Sequence, residues 1–393
     1  MSSRLPRLLY LGDVPVESSY HGSMLLYRLL QNYPVANLRI IEGNLHPSTP
    51  ERRLREVQYQ TLALGRHERL LRTRFHKFYS TILLSFAARR GKQIDLLVRN
   101  FSPEAVLTVT QGYSWITAAK FAAKRRLPLH LICHDDWHHV ADLPNRVRHW
   151  LDSVFGKVYQ QAVSRLCVSP WMRETYRELY GVEGEVLYPS RGSDCPSYNT
   201  PPERLANVST PFTIAFAGTI NAYDPMKALA ILAKVLEQMS GRLLIFGPLK
   251  REDAERQGLA RKSVELRGLL PSRELINQFR REVDALFVPM SFDERNRTNM
   301  EICFPSKLAD YTAAGLPIII RGPKYCSAVR WANENPGVAD IVCSDDETAL
   351  HNAIGRLAND SIRRMKIGQK ALDSGRTYFA ADIAWQVFQR ALA

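Results

Sequence analysis

The stretch EICFPSKLADYTAAGLP, Glu301–Pro317, decides how this chain is read. It is a loop that runs into a short helix and stops at Gly315 and Pro317. Gly is the usual residue just past a helix end, and Pro cannot continue one. Pro305 and Ser306 stand where the helix begins, and Ser306 is a candidate N-cap. The N–H groups of Ser306, Lys307 and Leu308 are then expected at the helix N-terminus, an anion site suited to a diphosphate. Lys307 adds a mobile positive charge. Asp310, one turn further in, is placed to accept hydrogen bonds from two vicinal hydroxyls, such as those of a ribose. An ordinary capped helix with a surface Lys and Asp has the same pattern.

Working outward, the second half alternates strand and helix. Strands are expected at Thr213–Ala217 (ending at Gly218), Arg242–Phe246, Val264–Leu266, Ala285–Pro289, Pro317–Ile320 and Ala339–Val342. Helices fit Met226–Gln238, Ser272–Glu282 (with Ser272 as its cap), Lys307–Ala314 and Tyr325–Asn333. The first half has the same rhythm, with strands at Leu8–Leu11, Leu38–Ile41, Asp95–Val98, Ala105–Val109, Leu129–Cys133 and Arg165–Val168. A helix is expected from Met24 to Gln31. Apolar residues at helical spacing, with arginines between, make Ser48–Arg90 read as helical hairpins rather than more sheet. Such alternation predicts two parallel α/β sheets, whose ligands gather at the strands' C-terminal rims.

Leu187–Asn207 carries Pro189, Pro196, Pro201 and Pro202 and reads as a linker. The expected division is 1–190, a linker 191–208, 209–372, and a final helix in 373–393 that crosses back to the first domain. At 393 residues and 45% hydrophobic, each domain has enough chain for its own core. No apolar run has the length of a membrane span, and Met1–Leu11 lacks the pattern of a signal peptide. The six cysteines lie far apart and read as buried free thiols, so a cytoplasmic protein is expected.

Glu301–Pro317 resembles the donor-binding signature of the GT-B glycosyltransferases, above all the retaining family 4 (group 1). The carrying residues are Pro305-Ser306-Lys307-Leu308-Ala309-Asp310-Tyr311 and Gly315-Leu316-Pro317. His134-Asp135 after a strand resembles that family's His-Asp pair. Ser169 with Met172, and the run Val264–Pro289, resemble further segments, with the order altered at Asp284-Ala285. The resemblance implies a GT-B fold, two Rossmann-like domains facing a central cleft. It implies a sugar transferred from a UDP- or GDP-sugar to an acceptor hydroxyl, with retention, no required metal and no cofactor. A nucleotide-sugar epimerase or hydrolase on this scaffold, or a non-catalytic GT-B protein, is the alternative.

Three positions depart from the family pattern. Asp310 stands for the usual Glu. The family's first Glu falls on Ile302, with Glu301 beside it. Gly218 is followed by Thr219 instead of Arg, and the nearest base is Lys227. Lys307, Lys227 and His134 are the candidate catalytic residues. Gly218, Thr219, Arg267, Glu301, Pro305, Ser306, Leu308 and Asp310 are the candidate donor contacts. Gly12, Asp13, Gly22 and Ser23 form the candidate acceptor or phosphate loop, where Gly permits close backbone approach.

The formal net charge is +14, and residues 51–92 hold eleven Arg/Lys against three Asp/Glu. Arginines interleaved with Leu and Phe suit an anionic membrane surface on its cytoplasmic side, or an anionic acceptor. A nucleic-acid partner is not expected, since no nucleic-acid-binding motif accompanies the charge. The cluster His134-Asp135-Asp136-Trp137-His138-His139 offers metal-ligand chemistry, but no second cluster completes a metal hydrolase.

Overall fold

The computed structural model describes residues 4–18, 21–64, 68–207, 210–220 and 223–393. Residues 65–67 of the basic stretch and the expected linker–domain junction at 208–209 lie outside them. The chain divides into two compact units: Met1–Tyr188 with Ala384–Ala393, and Pro189–Ile383.

Unit 1 runs β1 (Leu8–Gly12), α1 (His21–Leu30), β2 (Leu38–Gly43), β3 (Gln58–Leu62), α2 (His76–Ser85), α3 (Gly91–Leu97), β4 (Ala105–Val109), α4 (Ser114–Arg125), β5 (Leu129–Cys133), α5 (Trp137–Val140), α6 (Asn145–Gln161), β6 (Ser164–Cys167), α7 (Pro170–Tyr180) and β7 (Glu185–Val186). Its sheet has the order β3-β2-β1-β4-β5-β6-β7, with every pairing parallel. The central strands β1, β4 and β5 are buried along their whole length. Strands covered on both faces must be continuous apolar runs, which is why they are plain in the sequence.

Unit 2 runs β8 (Thr213–Ala217), α8 (Tyr223–Gln238), β9 (Arg242–Phe246), α9 (Arg251–Arg256), β10 (Val264–Gly268), α10 (Ser272–Glu282), β11 (Ala285–Pro289), α11 (Arg297–Ile302), α12 (Lys307–Ala314), β12 (Ile318–Arg321), α13 (Ser327–Glu334), β13 (Asp340–Val342), α14 (Glu347–Asn359), α15 (Ser361–Tyr378) and the start of α16 (Ala381–Leu392). Its parallel sheet has the order β10-β9-β8-β11-β12-β13. Each unit is thus a Rossmann-like layer structure, and the fold is GT-B. In each sheet the strand order reverses once, between β1 and β4 and between β8 and β11. Ligands of open α/β sheets bind at such points.

The first half departs from expectation in two places. Gln58–Leu62, expected within a helical hairpin, is the edge strand β3 paired with β2. Its sequence QYQTL is largely polar because an edge strand keeps one side and much of one face in water. Leu96 and Leu97, expected in a strand over 95–98, lie in α3, where Ile94 is buried and Leu96 is exposed. A four-residue apolar run does not distinguish strand from helix. In unit 2, Ser272 is the first residue of α10 and Pro271 occupies the cap position.

The Pro-rich stretch after Tyr188 has little regular structure, but it packs within unit 2. Arg191 is buried and donates from Nε to the Ala309 carbonyl at 3.1 Å and from Nη2 to Thr312 Oγ1 at 3.1 Å. The C-terminal part of α16 belongs to unit 1. There Trp385 and Phe388 meet Tyr33 edge-on, and Arg390 pairs with Glu185 at 2.6 Å. Among the described residues, no helix is long and apolar enough to cross a membrane.

Candidate active site

In unit 2, β8 runs buried into Gly218, whose φ of +136° favours glycine. A Cβ there would stand 2.8 Å from Lys307 Cε and 3.0 Å from its Nζ. A Cβ on Gly247, at the end of β9, would stand 2.3 Å from the Gly218 carbonyl oxygen. Two glycines therefore make a floor at the C-terminal rim, and the Lys307 side chain lies on it. One turn on, Tyr311 ties α12 to the end of β8 by accepting from the Ala217 N–H at 2.7 Å.

The Lys307 ammonium sits 5.1 Å from the Phe216 ring centroid. It has no carboxylate partner among the described residues. Burial lowers its pKa from the ordinary lysine value to about 8. A cation held half out of water with no counter-charge, beside a helix N-terminus, is a site that favours an anion.

The remaining candidate donor residues surround this point unevenly. Ser306 occupies the cap position of α12, but its backbone is helical and its hydroxyl makes no cap hydrogen bond. The Leu308 N–H, expected to face the rim, is used by the Pro305 carbonyl at 3.1 Å, and the Leu308 side chain is core. The donors left in this turn are the N–H groups of Ser306 and Lys307. Pro305 and Asp310 are half-buried in the same turn. Glu301, on α11, accepts from Arg297 Nε at 2.8 Å, while Ile302 beside it is core. Thr219 has a buried hydroxyl oxygen without a hydrogen-bond partner. It lines a cavity of about 310 Å³ with Ile220, Met226, Pro248, Leu249, Asp253 and Gln257.

Two candidate cations are committed elsewhere. Arg267 is held at the sheet edge by Glu282, 3.0 Å away, and Glu265, 2.9 Å away. Lys227 pairs with Asp345 at 3.2 Å. That partner is 118 residues distant in sequence, which is why helix spacing alone gave no sign of it.

In unit 1, His134 directly follows β5 and is 9% exposed. Its Nε2 lies 2.6 Å from Gln111 Oε1 and 3.2 Å from Asp135 Oδ2. Its Nδ1 is buried and has no hydrogen-bond partner among the described residues. A Cβ on Gly22 would stand 2.3 Å from His134 Cε1, so two candidates far apart in sequence meet here, with Ser23 buried next to Gly22.

Gly12 leaves room for Tyr10, whose hydroxyl donates to the Val14 carbonyl at 2.6 Å. Asp13 has a local task. Its carboxylate accepts from the N–H groups of Tyr113 and Ser114 and, at 2.5 Å, from Ser114 Oγ, and so caps α4. Burial raises its pKa despite these bonds. Gln111, and the glycines Gly43 and Gly112 that close on Asp13, were not legible as site residues.

Asp136, His138 and His139 bring potential metal-ligand atoms within 4.8 Å of one another. Each is engaged in a hydrogen-bond network. His139 bridges Asp136 (3.0 Å) and Asp152 (3.1 Å), His138 meets the Tyr180 hydroxyl at 3.0 Å, and Tyr176 donates to Asp136 at 2.8 Å. Burial drives the His138 pKa down to about 3, so this ring is neutral. For His139, burial acts downward but the two aspartates outweigh it and the pKa rises. The donor set therefore reads as an anchor for the loop that carries His134.

Known proteins share this architecture. The sequence model of Glycosyltransferase Family 4 matches residues 44–190. Anabaena HepE in complex with UDP superposes with a TM-score of 0.68 at 14% identity, covering 98% of this chain and 99% of that one. The sucrose-phosphate synthase of Thermosynechococcus elongatus gives 0.65 at 15% identity, with 98% of each chain covered. The α,α-trehalose 6-phosphate synthase of Burkholderia multivorans gives 0.64 at 12%, covering 99% and 96%. No curated protein matches the chain by sequence. At these identities the structural likeness establishes the fold.

Proposed function

We propose that this chain, a GT-B protein related to the family 4 glycosyltransferases, transfers a sugar from a nucleoside-diphosphate sugar to an acceptor hydroxyl. Unit 2 holds the donor, and unit 1 supplies His134 and the acceptor surface. The observation that carries this reading is the lone Lys307 ammonium on the floor made by Gly218 and Gly247. Departure of the diphosphate puts negative charge on the leaving oxygen, and a fixed cation in a water-poor site stabilises that charge as it develops. Ser306 and Lys307 N–H groups add to it, and Asp310 receives the ribose hydroxyls. His134, at the rim of the unit 1 sheet, offers the acceptor side a hydrogen-bonding imidazole. The acceptor's proton goes to a phosphate oxygen, with retention at the transferred carbon. The HepE complexes with UDP and UDP-glucose make a UDP-sugar the first donor to try.

Thermal stabilisation of the pure protein by UDP, GDP, TDP and ADP, with and without magnesium, tests this. One diphosphate should raise the melting temperature by several degrees at a hundred times its Kd. No shift with any of them at millimolar concentration rejects the donor reading.

The acceptor side of the proposal rests on α2 and its surroundings. Phe75, Phe78 and Phe86 are exposed, Phe78 to 67%. Arg74 and Arg89 lie over Phe75 and Phe86. Exposed phenyl rings framed by cations match the chemistry of an anionic bilayer surface, and this supports a peripheral position on the cytoplasmic membrane face. In sedimentation with vesicles, binding should require phosphatidylserine, and Phe78→Ser should weaken it by roughly tenfold. Equal binding to neutral vesicles, or no effect of the substitution, would remove this part.

A further inference from the structure

The loop that carries His134 is fastened by a histidine whose two ring nitrogens both face carboxylates. His139, on α5, has Nδ1 3.0 Å from each carboxylate oxygen of Asp136 and Nε2 3.1 Å from Asp152 Oδ1. Asp136, two residues after His134, is fully buried, while the Asp152 side chain, on α6, is 42% exposed. Two tyrosines of α7 face the same carboxylates. Tyr176 donates to Asp136 Oδ1 at 2.8 Å, and Tyr180 donates to Asp152 Oδ1 at 2.7 Å. A further neighbour is His138, whose ring centre lies 4.1 Å from that of His139 and which stacks on Phe155 at 3.8 Å. Arg148, one turn before Asp152 on α6, is turned to the carbonyls of Ala141 and Leu143, and Asp135 is turned to His134.

An ionised carboxylate only accepts hydrogen bonds, so both nitrogens of His139 must carry hydrogen, and such a ring is an imidazolium. A neutral ring would aim a lone pair at one of the two carboxylates. Asp136 stays ionised. Burial works against its charge, but the two histidines and Tyr176 outweigh burial and its pKa is lowered. One positive charge therefore ties the loop after β5 to α6, with α7 bonded to both carboxylates.

We propose that His139 is an imidazolium whose charge clamps Asp136 to Asp152, and that this clamp makes it a positioning residue for sugar transfer, holding His134 at the rim of the unit 1 sheet. The clamp rests on its own residues, and its effect on turnover rests on the proposed transfer. The pH dependence has a definite sign. Burial lowers the His139 pKa, but Asp136 and Asp152 outweigh it and the pKa rises. The clamp is complete below the ordinary histidine value and is lost as pH rises through the raised one. Above it His134 loosens and turnover falls.

The test is nitrogen-15 NMR of the full-length protein labelled at its histidine rings, from about pH 5.5 to 9. His139 is assigned by the signals that His139→Gln removes. Both of its ring nitrogens should carry hydrogen at pH 7, its midpoint should lie above the ordinary histidine value, and the His134 signals should show a step at that same midpoint. Asp152→Asn keeps an acceptor oxygen for His139 and Tyr180 but removes the charge. It should lower the midpoint by about one pH unit and carry the His134 step with it. A bare nitrogen on His139 at pH 7, a midpoint that ignores Asp152→Asn, or no His134 step overturns the proposal. Loss of the His139 signals on adding one equivalent of Zn²⁺ would make the cluster a metal site and also overturns it. At saturating donor and acceptor, the alkaline fall in kcat should begin about one pH unit earlier in Asp152→Asn than in the native protein. Lys307 is common to both proteins, so it does not enter this difference. His139→Gln should turn over about tenfold more slowly at pH 7. The same alkaline fall in the native and Asp152→Asn proteins overturns the positioning role. If the NMR results hold and no sugar is transferred, the transfer reading fails and the clamp stands. Transfer by a protein whose His139 has a bare nitrogen at pH 7 rejects the clamp alone.

Discussion

Replacing Lys307 by methionine should lower kcat/KM for sugar transfer by about 10²–10³-fold while leaving the unfolding temperature equal or higher. The two effects have one cause. Lys307 is held half-buried with no counter-charge, and burial lowers its pKa to about 8. The folded protein without donor therefore carries a penalty for keeping this ammonium charged. Methionine has a similar length, fits against Phe216 and above Gly218, and carries no such penalty. A surface lysine would show neither the loss of activity nor the neutral-to-positive effect on stability.

The sign of the pH dependence follows. Below about pH 8 the lysine is charged in both folded and unfolded chains, and the penalty is complete. Between about 8 and the ordinary lysine value the unfolded chain binds more protons than the folded one, so this group's contribution to stability improves as pH rises. Donor affinity moves the other way. It should be level below about pH 8 and fall above it, by at most tenfold per pH unit, as the ammonium loses its proton.

Arg364→Met should destabilise unit 2 by about 4 kcal/mol, the scale of leaving several buried acceptors without their charged donor. Arg364, on α15, is fully buried. It donates to the carbonyls of Leu205 (3.1 Å), Leu357 (2.6 Å), Ala358 (2.8 Å) and Asn207 (2.6 Å). Those four oxygens lie on two segments far apart in the chain, Leu205 with Asn207 and Leu357 with Ala358, so one guanidinium fastens the end of α14 and the stretch before β8 to α15. A methionine fills the volume and satisfies none of them. For a unit of this size the loss corresponds to a fall in melting temperature of roughly 10 °C. Thermal denaturation followed in the presence and absence of the stabilising nucleotide measures it. A change under about 2 °C would mean that water replaces the guanidinium at all four carbonyls.

Why some of this was legible in the sequence and some was not is a matter of distance along the chain. Strands such as Thr213–Ala217 and Ala285–Pro289 are buried on both faces, so they read as unbroken apolar runs. The turn Pro305–Asp310 was legible because a helix start, a cation and a Gly-Pro stop are all local signals. β3 was not, because the solvated edge of a sheet has no apolar period to read. Asp13 looked like a loop acid available to a ligand. Its role as the cap of α4 depends on Ser114, a hundred residues on. Arg321 lies just past the expected strand Pro317–Ile320 and drew no notice in the sequence; its neighbours Phe292, Lys227 and Asp345 are brought to it only by the fold.

The central claim is that Lys307 and the first turn of α12 hold the donor diphosphate. Its most direct test is the affinity for the stabilising nucleoside diphosphate from pH 6 to 9.5, in the native protein and in Lys307→Met. The account predicts a native affinity that is level to about pH 8 and then declines, and a Lys307→Met affinity at least tenfold weaker at pH 7 with that decline gone. Equal affinities and the same pH profile in both proteins would contradict it.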